Sequence, residues 1–343
     1  MDQSEECKPS KSRLLFVFRV GGKPRVASST RKGYAASVGR LSRLTDAQAK
    51  RDNFNFETQT RGVNYTVIGG GAMGRQIALN TAIHGYEVVV CESFPAALAS
   101  LESWKEEYLA GRVAKGRMTQ EQVDAVKARF TVTDDLAAAC KDADIVIEAI
   151  IEDKQAKLDL LGKVSELVRA DTVIATNSSY MVSSTFAGVV KDPERLANLH
   201  YFMPALVMKL VEVVKGEHTS QQTVDKLMTF ATETGKTPAL VQKEEDGFIV
   251  NNILNAIKEE AYRLVAQGVC TTRDLDTAVK LGLGHPMGPY ELDDMSGVDV
   301  RYNVLKRRYE EKGVKSHGYD MIEKLVNEGR LGKKVKHGFY DYE

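Results

Sequence analysis

No stretch of this chain stays apolar for long. Its longest uninterrupted runs, Leu14–Phe18 and Leu136–Cys140, fall far short of the roughly 18 residues that cross a bilayer. Cysteine is scarce: Cys7, Cys91, Cys140 and Cys270 are scattered, with no Cys-x-x-Cys and no histidine pair nearby. That spacing offers neither a zinc site nor a dense disulfide framework, so no metal is expected and a reducing compartment is the simpler reading. Tandem repeats and low-complexity tracts are missing after residue 61. Net charge is missing too, with 47 Lys and Arg against 47 Asp and Glu. Neutrality argues against a nucleic-acid binder, provided the charge is evenly spread. What is present, 43% hydrophobic and 27% charged residues, is the composition of a globular protein and excludes wholesale disorder. At roughly 100–200 residues per domain, 343 residues suggest about two domains.

The charge is not evenly spread. Residues 1–61 carry 13 basic and 6 acidic side chains, and the remaining 282 carry 34 and 41. The zero is therefore a +7 segment joined to a −7 one. Between Cys7 and Thr45 there is no acid, while ten Lys and Arg are interspersed with eight Ser and Thr. Arginine-rich, serine-rich and acid-poor is the composition of an organellar transit peptide. Arg31-Lys32-Gly33-Tyr34-Ala35-Ala36 has the look of a matrix-processing site. A basic tail, a nucleic-acid arm or a misplaced start codon would give a similar composition, and Asp2, Glu5 and Glu6 are unusual at the head of a presequence. The expectation is a flexible extension over 1–61 and a mitochondrial matrix protein, the alternative being a cytoplasmic one.

From Asn64 onward short β runs alternate with helical patterns. Strands are expected at Tyr65–Ile68, Glu87–Cys91, Arg129–Val132, Asp144–Glu148, Thr172–Thr176 and Leu196–Leu199. Between them Ala72–Ile83, Pro95–Ala110, Thr119–Ala128 and Lys154–Val168 read as helices. Buried strands alternating with helices predict a parallel sheet covered on both faces, an α/β fold. Past Asp246 the character changes: Phe248–Gln267, Thr272–Leu281 and Gly288–Met295 are helical and few strand runs remain. This divides the chain into an α/β domain over 62–246 and a smaller all-α domain over 247–343.

Gly69-Gly70-Gly71-Ala72-Met73-Gly74 is a G-x-G-x-x-G that follows a strand and opens a helix, with Glu92 closing the next strand. In that context it is a strong signal for a dinucleotide site. Gly69 permits the tight turn, Gly71 lets a pyrophosphate approach the backbone, and Gly74 lets helix and strand pack closely. Glu92 can accept hydrogen bonds from ribose hydroxyls and would repel a 2′-phosphate. No Lys or Arg between Glu92 and Trp104 offsets that, which favours NAD over NADP. A glycine-rich turn with no ligand is the plain alternative.

The candidate acid/base is His200, which closes a strand just before Tyr201-Phe202-Met203-Pro204. Glu212 follows within the apolar run Lys209–Val214, where an acid is costly to bury unless it has a partner. A turn at Pro204 would bring Glu212 beside His200 and fix the imidazole tautomer. A structural His and a strand-edge Glu is the competing reading. Asn177-Ser178-Ser179 sits at the end of another strand, as a ligand contact or a helix cap. Asn251, on a helix apolar over most of its surface, needs either a ligand or a neighbouring helix; Asn252 and Asn255 could fill the second role. His285, beside Pro286, shapes a turn, and His218, His317 and His337 read as surface residues.

Taken in order, the glycine loop, Glu148–Glu152, Asn177–Ser179, His200–Pro204, Leu210–Val213, Gly247–Asn251, His285–Pro289, Gly332–Lys334 and Gly338–Tyr340 resemble the L-3-hydroxyacyl-CoA dehydrogenases, including the bacterial 3-hydroxybutyryl-CoA dehydrogenases. The resemblance covers essentially all of residues 62–343. It implies a Rossmann-like doubly wound sheet, a helical domain through which two copies form a homodimer, and NAD-linked oxidation of an acyl-CoA substrate. It implies that His200 is the base and Glu212 its partner, and that Ser179 and Asn251 hold the substrate oxygen and cofactor. Glu152 and Lys157, and also Lys334, match cofactor contacts. Oxidation releases a proton, so a rise in pH should favour it. The chain departs from the family at Met203, where Asn is usual, at Asp246, where Pro is common, and at Asn252, where Arg is usual. The helix pair around Trp104–Lys115 and Arg117 resembles the region that meets the CoA nucleotide, although Lys115 and Arg117 also read as a solvated basic face. A dehydrogenase of a free 3-hydroxy acid, of the gulonate or carnitine type, is the alternative, and a non-catalytic NAD-binding protein is a third class. No membrane or nucleic acid is expected as a partner.

Overall fold

The computed structural model describes residues 16–20, 23–27 and 61–343. The transit-like stretch, apart from two short strands, and its candidate processing site at 31–36 lie outside the described residues. The strands, β1 (Phe16–Val20) and β2 (Lys23–Ala27), pair antiparallel, a pairing that the expectation of an extension without structure did not include.

The larger part of the chain is an eight-stranded sheet. It begins with β3 (Arg61–Ile68), α1 (Gly74–Ile83), β4 (Tyr86–Cys91), α2 (Pro95–Ala114), α3 (Gln120–Ala128) and β5 (Phe130–Thr133). It continues with α4 (Leu136–Cys140), β6 (Ile145–Glu148), α5 (Lys154–Leu167), β7 (Val173–Thr176), α6 (Ser184–Ala187) and β8 (Leu196–Tyr201). It ends with β9 (Leu210–Val214), α7 (Gln221–Glu233) and β10 (Thr237–Val241). The strand order is β10-β9-β8-β7-β6-β3-β4-β5. The chain reverses its direction of travel at β3, so the C-terminal ends of β3 and β6 flank the crevice where doubly wound sheets take ligands.

The six strands from β5 to β8 run parallel, but β9 pairs antiparallel with β8. The strands expected from the sequence are the parallel ones, and β9, which follows the turn at Pro204, takes its opposite direction for a reason of length. A parallel return needs a crossover of about a dozen residues or more, and only Phe202–Lys209 separates β8 from β9. The chain can only double back. β10 then pairs parallel with β9 after the α7 crossover.

Alternate residues of the strands feed two cores. Tyr65 and Val67 face one with Ile77, Leu79, Val88 and Phe230, while Ile68 faces the other with Val146, Leu161, Ile174 and Phe186. Burial on both faces is why β6, β7 and β8 are covered at every position.

The helical part comprises α8 (Val250–Ala266), α9 (Thr272–Leu283), α10 (Pro289–Ser296), α11 (Val298–Lys312) and α12 (Tyr319–Asn327). They pack around Tyr262, Tyr290, Val298, Leu305 and Ile322. The C-terminal segment is tied to this core by Asp294, whose carboxylate accepts the amides of Phe339 and Tyr340 and the hydroxyl of Tyr342. Among the described residues no helix is long and apolar enough to cross a membrane.

Candidate active site

The glycine loop sits at the crevice. Gly69 has φ +104°, and a Cβ there would lie 2.7 Å from the Ala149 carbonyl oxygen. A Cβ on Gly74 would lie 1.9 Å from the oxygen of Gly69. Around Gly71, by contrast, there is open space, with nothing within 4 Å of a built Cβ. Two glycines are thus required by packing and the third by what must approach from outside. The first amides of a helix lack partners within it, and α1 presents its N-terminus to this open side. These features fit a dinucleotide pyrophosphate. Glu92 is placed by two amides, Gly70 N–H at 2.8 Å and Phe94 N–H at 3.0 Å, and remains 9% exposed.

A second group of polar side chains lies where β6 and β7 end. Glu148 is fully buried and accepts from Lys157 Nζ at 2.6 Å, Ile150 N–H at 2.8 Å and Thr176 Oγ1 at 2.6 Å. Lys157, 1% exposed, lies 3.4 Å from Glu152 as well. Glu152 in turn accepts the Ser178 hydroxyl and the amide of Ser179, the latter at 3.1 Å. Of the residues matched to cofactor contacts, Lys157 is therefore internal, an ion-pair partner that orders Glu148 and Glu152. The partner Glu148 was not read from the sequence as a functional residue, yet an acid that closes a buried strand signals the need for one.

His200, Glu212 and Ser179 are brought together. His200 is 3% exposed, its Nδ1 lies 2.8 Å from Glu212 Oε2, and its Nε2 lies 3.1 Å from Ser179 Oγ. A carboxylate only accepts, so this contact suits a proton on Nδ1, and in that neutral tautomer Nε2 would present its lone pair toward Ser179. Glu212 is fully buried, and its Oε1 accepts the amides of Ile249 and Val250 at 3.1 and 3.0 Å. The entry of α8 thereby reaches the pair, and Asn251 stands one residue further on. Asn251 is half-buried, and among the described residues its side chain makes no hydrogen bond. Asn255 has the neighbouring-helix role, accepting from Arg301 Nη1 at 2.8 Å. Lys334 meets Asp299 in the helical part, both of whose carboxylate oxygens hold its ammonium at 2.6 Å.

Beyond β8 the loop from Phe202 to Lys209 forms one wall of a cleft of about 570 Å³, with Leu206 and Val207 facing Trp104, Tyr108, Lys115 and Arg117. Gln76 of α1 bonds this loop at Leu206 N–H, at 3.4 Å, and meets Met203 Sδ at 3.6 Å. From beneath, Lys236 donates to the carbonyls of Ala205 and Met208. Burial pulls the Lys236 ammonium down to about 8, and the neighbouring charge of Lys209 adds to the effect. Met203 and Val207 are exposed apolar residues of this loop. Among the described residues no group of three or more His, Cys, Asp or Glu could hold a metal ion.

Comparison with known proteins gives the following. The family model of the 3-hydroxyacyl-CoA dehydrogenase NAD binding domain matches residues 64–245, and that of the 3-hydroxyacyl-CoA dehydrogenase C-terminal domain matches residues 247–342. A 3-hydroxybutyryl-CoA dehydrogenase of Clostridioides difficile is 35% identical over 280 residues, 80% of this chain and 98% of that protein. The mitochondrial hydroxyacyl-coenzyme A dehydrogenase of Homo sapiens is 36% identical over 286 residues, 81% of this chain and 90% of that protein. The crystal structure of (S)-3-hydroxybutyryl-CoA dehydrogenase from Ralstonia eutropha superposes with a TM-score of 0.75 at 30% identity, covering 82% of this chain and 99% of that one.

Proposed function

The chain belongs to the 3-hydroxyacyl-CoA dehydrogenase family, NAD-dependent oxidoreductases, and from that membership we propose that it interconverts an L-3-hydroxyacyl-CoA and its 3-oxo thioester with His200 as acid/base. The observation that carries this reading is the continuous chain Ser179–His200–Glu212, set at the same end of the sheet as the glycine loop. Gly69, Gly71, Gly74 and Glu92 would hold NAD, which would supply the hydride acceptor for C3. His200 Nε2 takes the proton of the 3-hydroxyl, and Ser179 donates to the same oxygen. Glu212 keeps the ring in the tautomer with Nδ1 protonated and stabilises the imidazolium that forms. In the reductive direction Nε2 returns the proton. Asn251, one residue into α8, would complete the contacts to the substrate oxygen.

The cleft between Trp104 and Val207 would receive the CoA moiety, with Lys115 and Arg117 at its rim toward the phosphates. We assign the division between the nucleotide-binding and helical domains to Asp246–Gly247. Ile253, Leu281 and Leu283, exposed on α8 and α9, offer apolar area for a second copy of the chain. The metabolic setting we infer is fatty-acid β-oxidation or short-chain 3-hydroxybutyryl-CoA turnover in the mitochondrial matrix, supported by the basic segment of residues 1–61 and by the mitochondrial relative. One assay tests the reaction: loss of NADH absorbance with acetoacetyl-CoA, and separately with free acetoacetate. Turnover of the thioester alone is the expected result. Turnover of the free acid instead would select the alternative dehydrogenase, and no turnover of either would leave a binding protein.

A further inference from the structure

Gly247 and Phe248 form the turn by which the chain leaves the sheet and enters α8. Both have positive φ, +81° and +52°. Glycine adopts such a backbone freely, whereas in phenylalanine the Cβ crowds its own main chain. A residue persists there only where its surroundings hold it. Phe248 is held on two sides. Its side chain is 2% exposed, and its ring centroid lies 5.3 Å from that of His200. The two amides that follow it, Ile249 and Val250, converge on one atom, Glu212 Oε1. The other oxygen of that carboxylate meets His200 Nδ1. A single residue in a costly conformation is therefore linked to both members of the pair.

On the far side of β9 the register partner of Glu212 is Ala239, which has no donor in its side chain. Among the described residues, Glu212 has no side-chain hydrogen bonds beyond those to His200, Ile249 and Val250. We propose that Phe248 is a positioning residue for the acid/base pair: its buried ring holds a left-handed backbone that aims the first amides of α8 at Glu212. This deepens the assignment of His200 as the base and rests on it. With Oε1 saturated by two fixed donors the carboxylate cannot rotate, so Oε2 stays on Nδ1 and Nε2 stays opposite Ser179. Phe202 also meets the imidazole, edge to face, at 4.6 Å between ring centroids. The domain that follows the sheet thus sets the geometry of a pair that lies wholly within it.

The test compares Phe248→Ala with Phe248→Gly. Alanine removes the ring that holds the strained turn, so the turn relaxes and both contacts are lost. Glycine removes the ring but keeps the left-handed turn at no steric cost. The first readout needs no substrate: the low-field resonance of the His200 Nδ1 proton in histidine-labelled protein, assigned by its disappearance in His200→Gln. It should be present in the wild type, retained in Phe248→Gly and lost or broadened in Phe248→Ala. The second readout is steady-state kinetics, in which Phe248→Ala should lose about a hundredfold in kcat, the scale of a misplaced catalytic group, with KM for NADH within twofold. A folded Phe248→Ala protein with an unchanged resonance and unchanged kcat would overturn the proposal. If Phe248→Ala does not fold, loss of the resonance in folded Phe248→Gly overturns it instead. Absence of turnover by the wild type would sink the reading of His200 as a base, while the resonance comparison would still decide whether Phe248 positions the pair.

Discussion

His200 and Glu212 are direct partners across the antiparallel β8–β9 pair, and their side chains meet at 2.8 Å. The pairing is a consequence of the short return after Pro204, so it is built into the sheet and does not depend on a mobile loop. Replacing His200 by Gln keeps a polar side chain of similar size and removes the base. The expected loss in kcat with acetoacetyl-CoA is about a hundred- to ten-thousand-fold, with an unchanged far-ultraviolet circular dichroism spectrum. A His200→Gln enzyme of normal activity would remove His200 from the mechanism.

Gly71 and Gly74 should respond oppositely to the same substitution. A Cβ at Gly74 strikes the carbonyl of Gly69, which is backbone and cannot rotate aside. Gly74→Ala should therefore destabilise the protein without any ligand, by about 1–3 kcal/mol, the range for overpacking. A Cβ at Gly71 meets nothing, so Gly71→Ala should unfold within about 0.5 kcal/mol of the wild type. Its methyl group would stand where the pyrophosphate must come close, and KM for NAD should rise. Thermal melts of the two apoproteins beside NAD titrations separate the effects, and an equal loss of stability in both would refute the assignment.

How much of this was legible in the sequence depends on how local each signal is. The glycine loop and Glu92 are read from a strand, a turn and the following strand, and the structure places them together at the crevice. The approach of Glu212 to His200 needs only a turn at Pro204, but the direction of β9 needs the length of that turn weighed against a crossover. Lys157 was different. Its partner Glu148 lies across a strand-to-helix connection, so resemblance alone directed it to a cofactor, whereas burial ties it to the carboxylate. Asn251 and Asn255 could not be told apart on one helix, because what distinguishes them is Arg301, contributed by α11. Phe248 carries no sign in the sequence of its left-handed backbone, since only glycine and asparagine advertise that region.

Lys157 and Glu148 form a buried pair, 1% and 0% exposed in their side chains. Removing one partner from such a pair strands the other charge, which typically costs about 3–5 kcal/mol. Lys157→Met should lose that much in urea unfolding, since Glu148 would keep only the amide of Ile150 and the hydroxyl of Thr176. A variant as stable as the wild type but weakened only in NAD affinity would return Lys157 to the role of direct cofactor contact.

Lys236 gives the fold a dependence on alkaline pH whose sign can be worked out. Its ammonium has no carboxylate partner among its hydrogen bonds, only the carbonyls of Ala205 and Met208, and burial brings its pKa from 10.5 to about 8. Below about pH 8 both the folded and the unfolded chain hold the proton, and the full cost of burying the charge is present. Between about 8 and 10.5 the unfolded chain binds a proton that the folded one has released. Stability contributed by this group therefore rises with pH across that window. The whole rise is on the order of 3 kcal/mol, at about 1.4 kcal/mol per pKa unit. Lys236→Met abolishes the titration, so the unfolding free energy of the wild type minus that of the variant should climb between pH 8 and 10.5. Tyrosines that titrate at high pH are common to both proteins and cancel in the difference. A flat difference curve would mean that Lys236 keeps its proton throughout, and a falling one that its charge stabilises the fold.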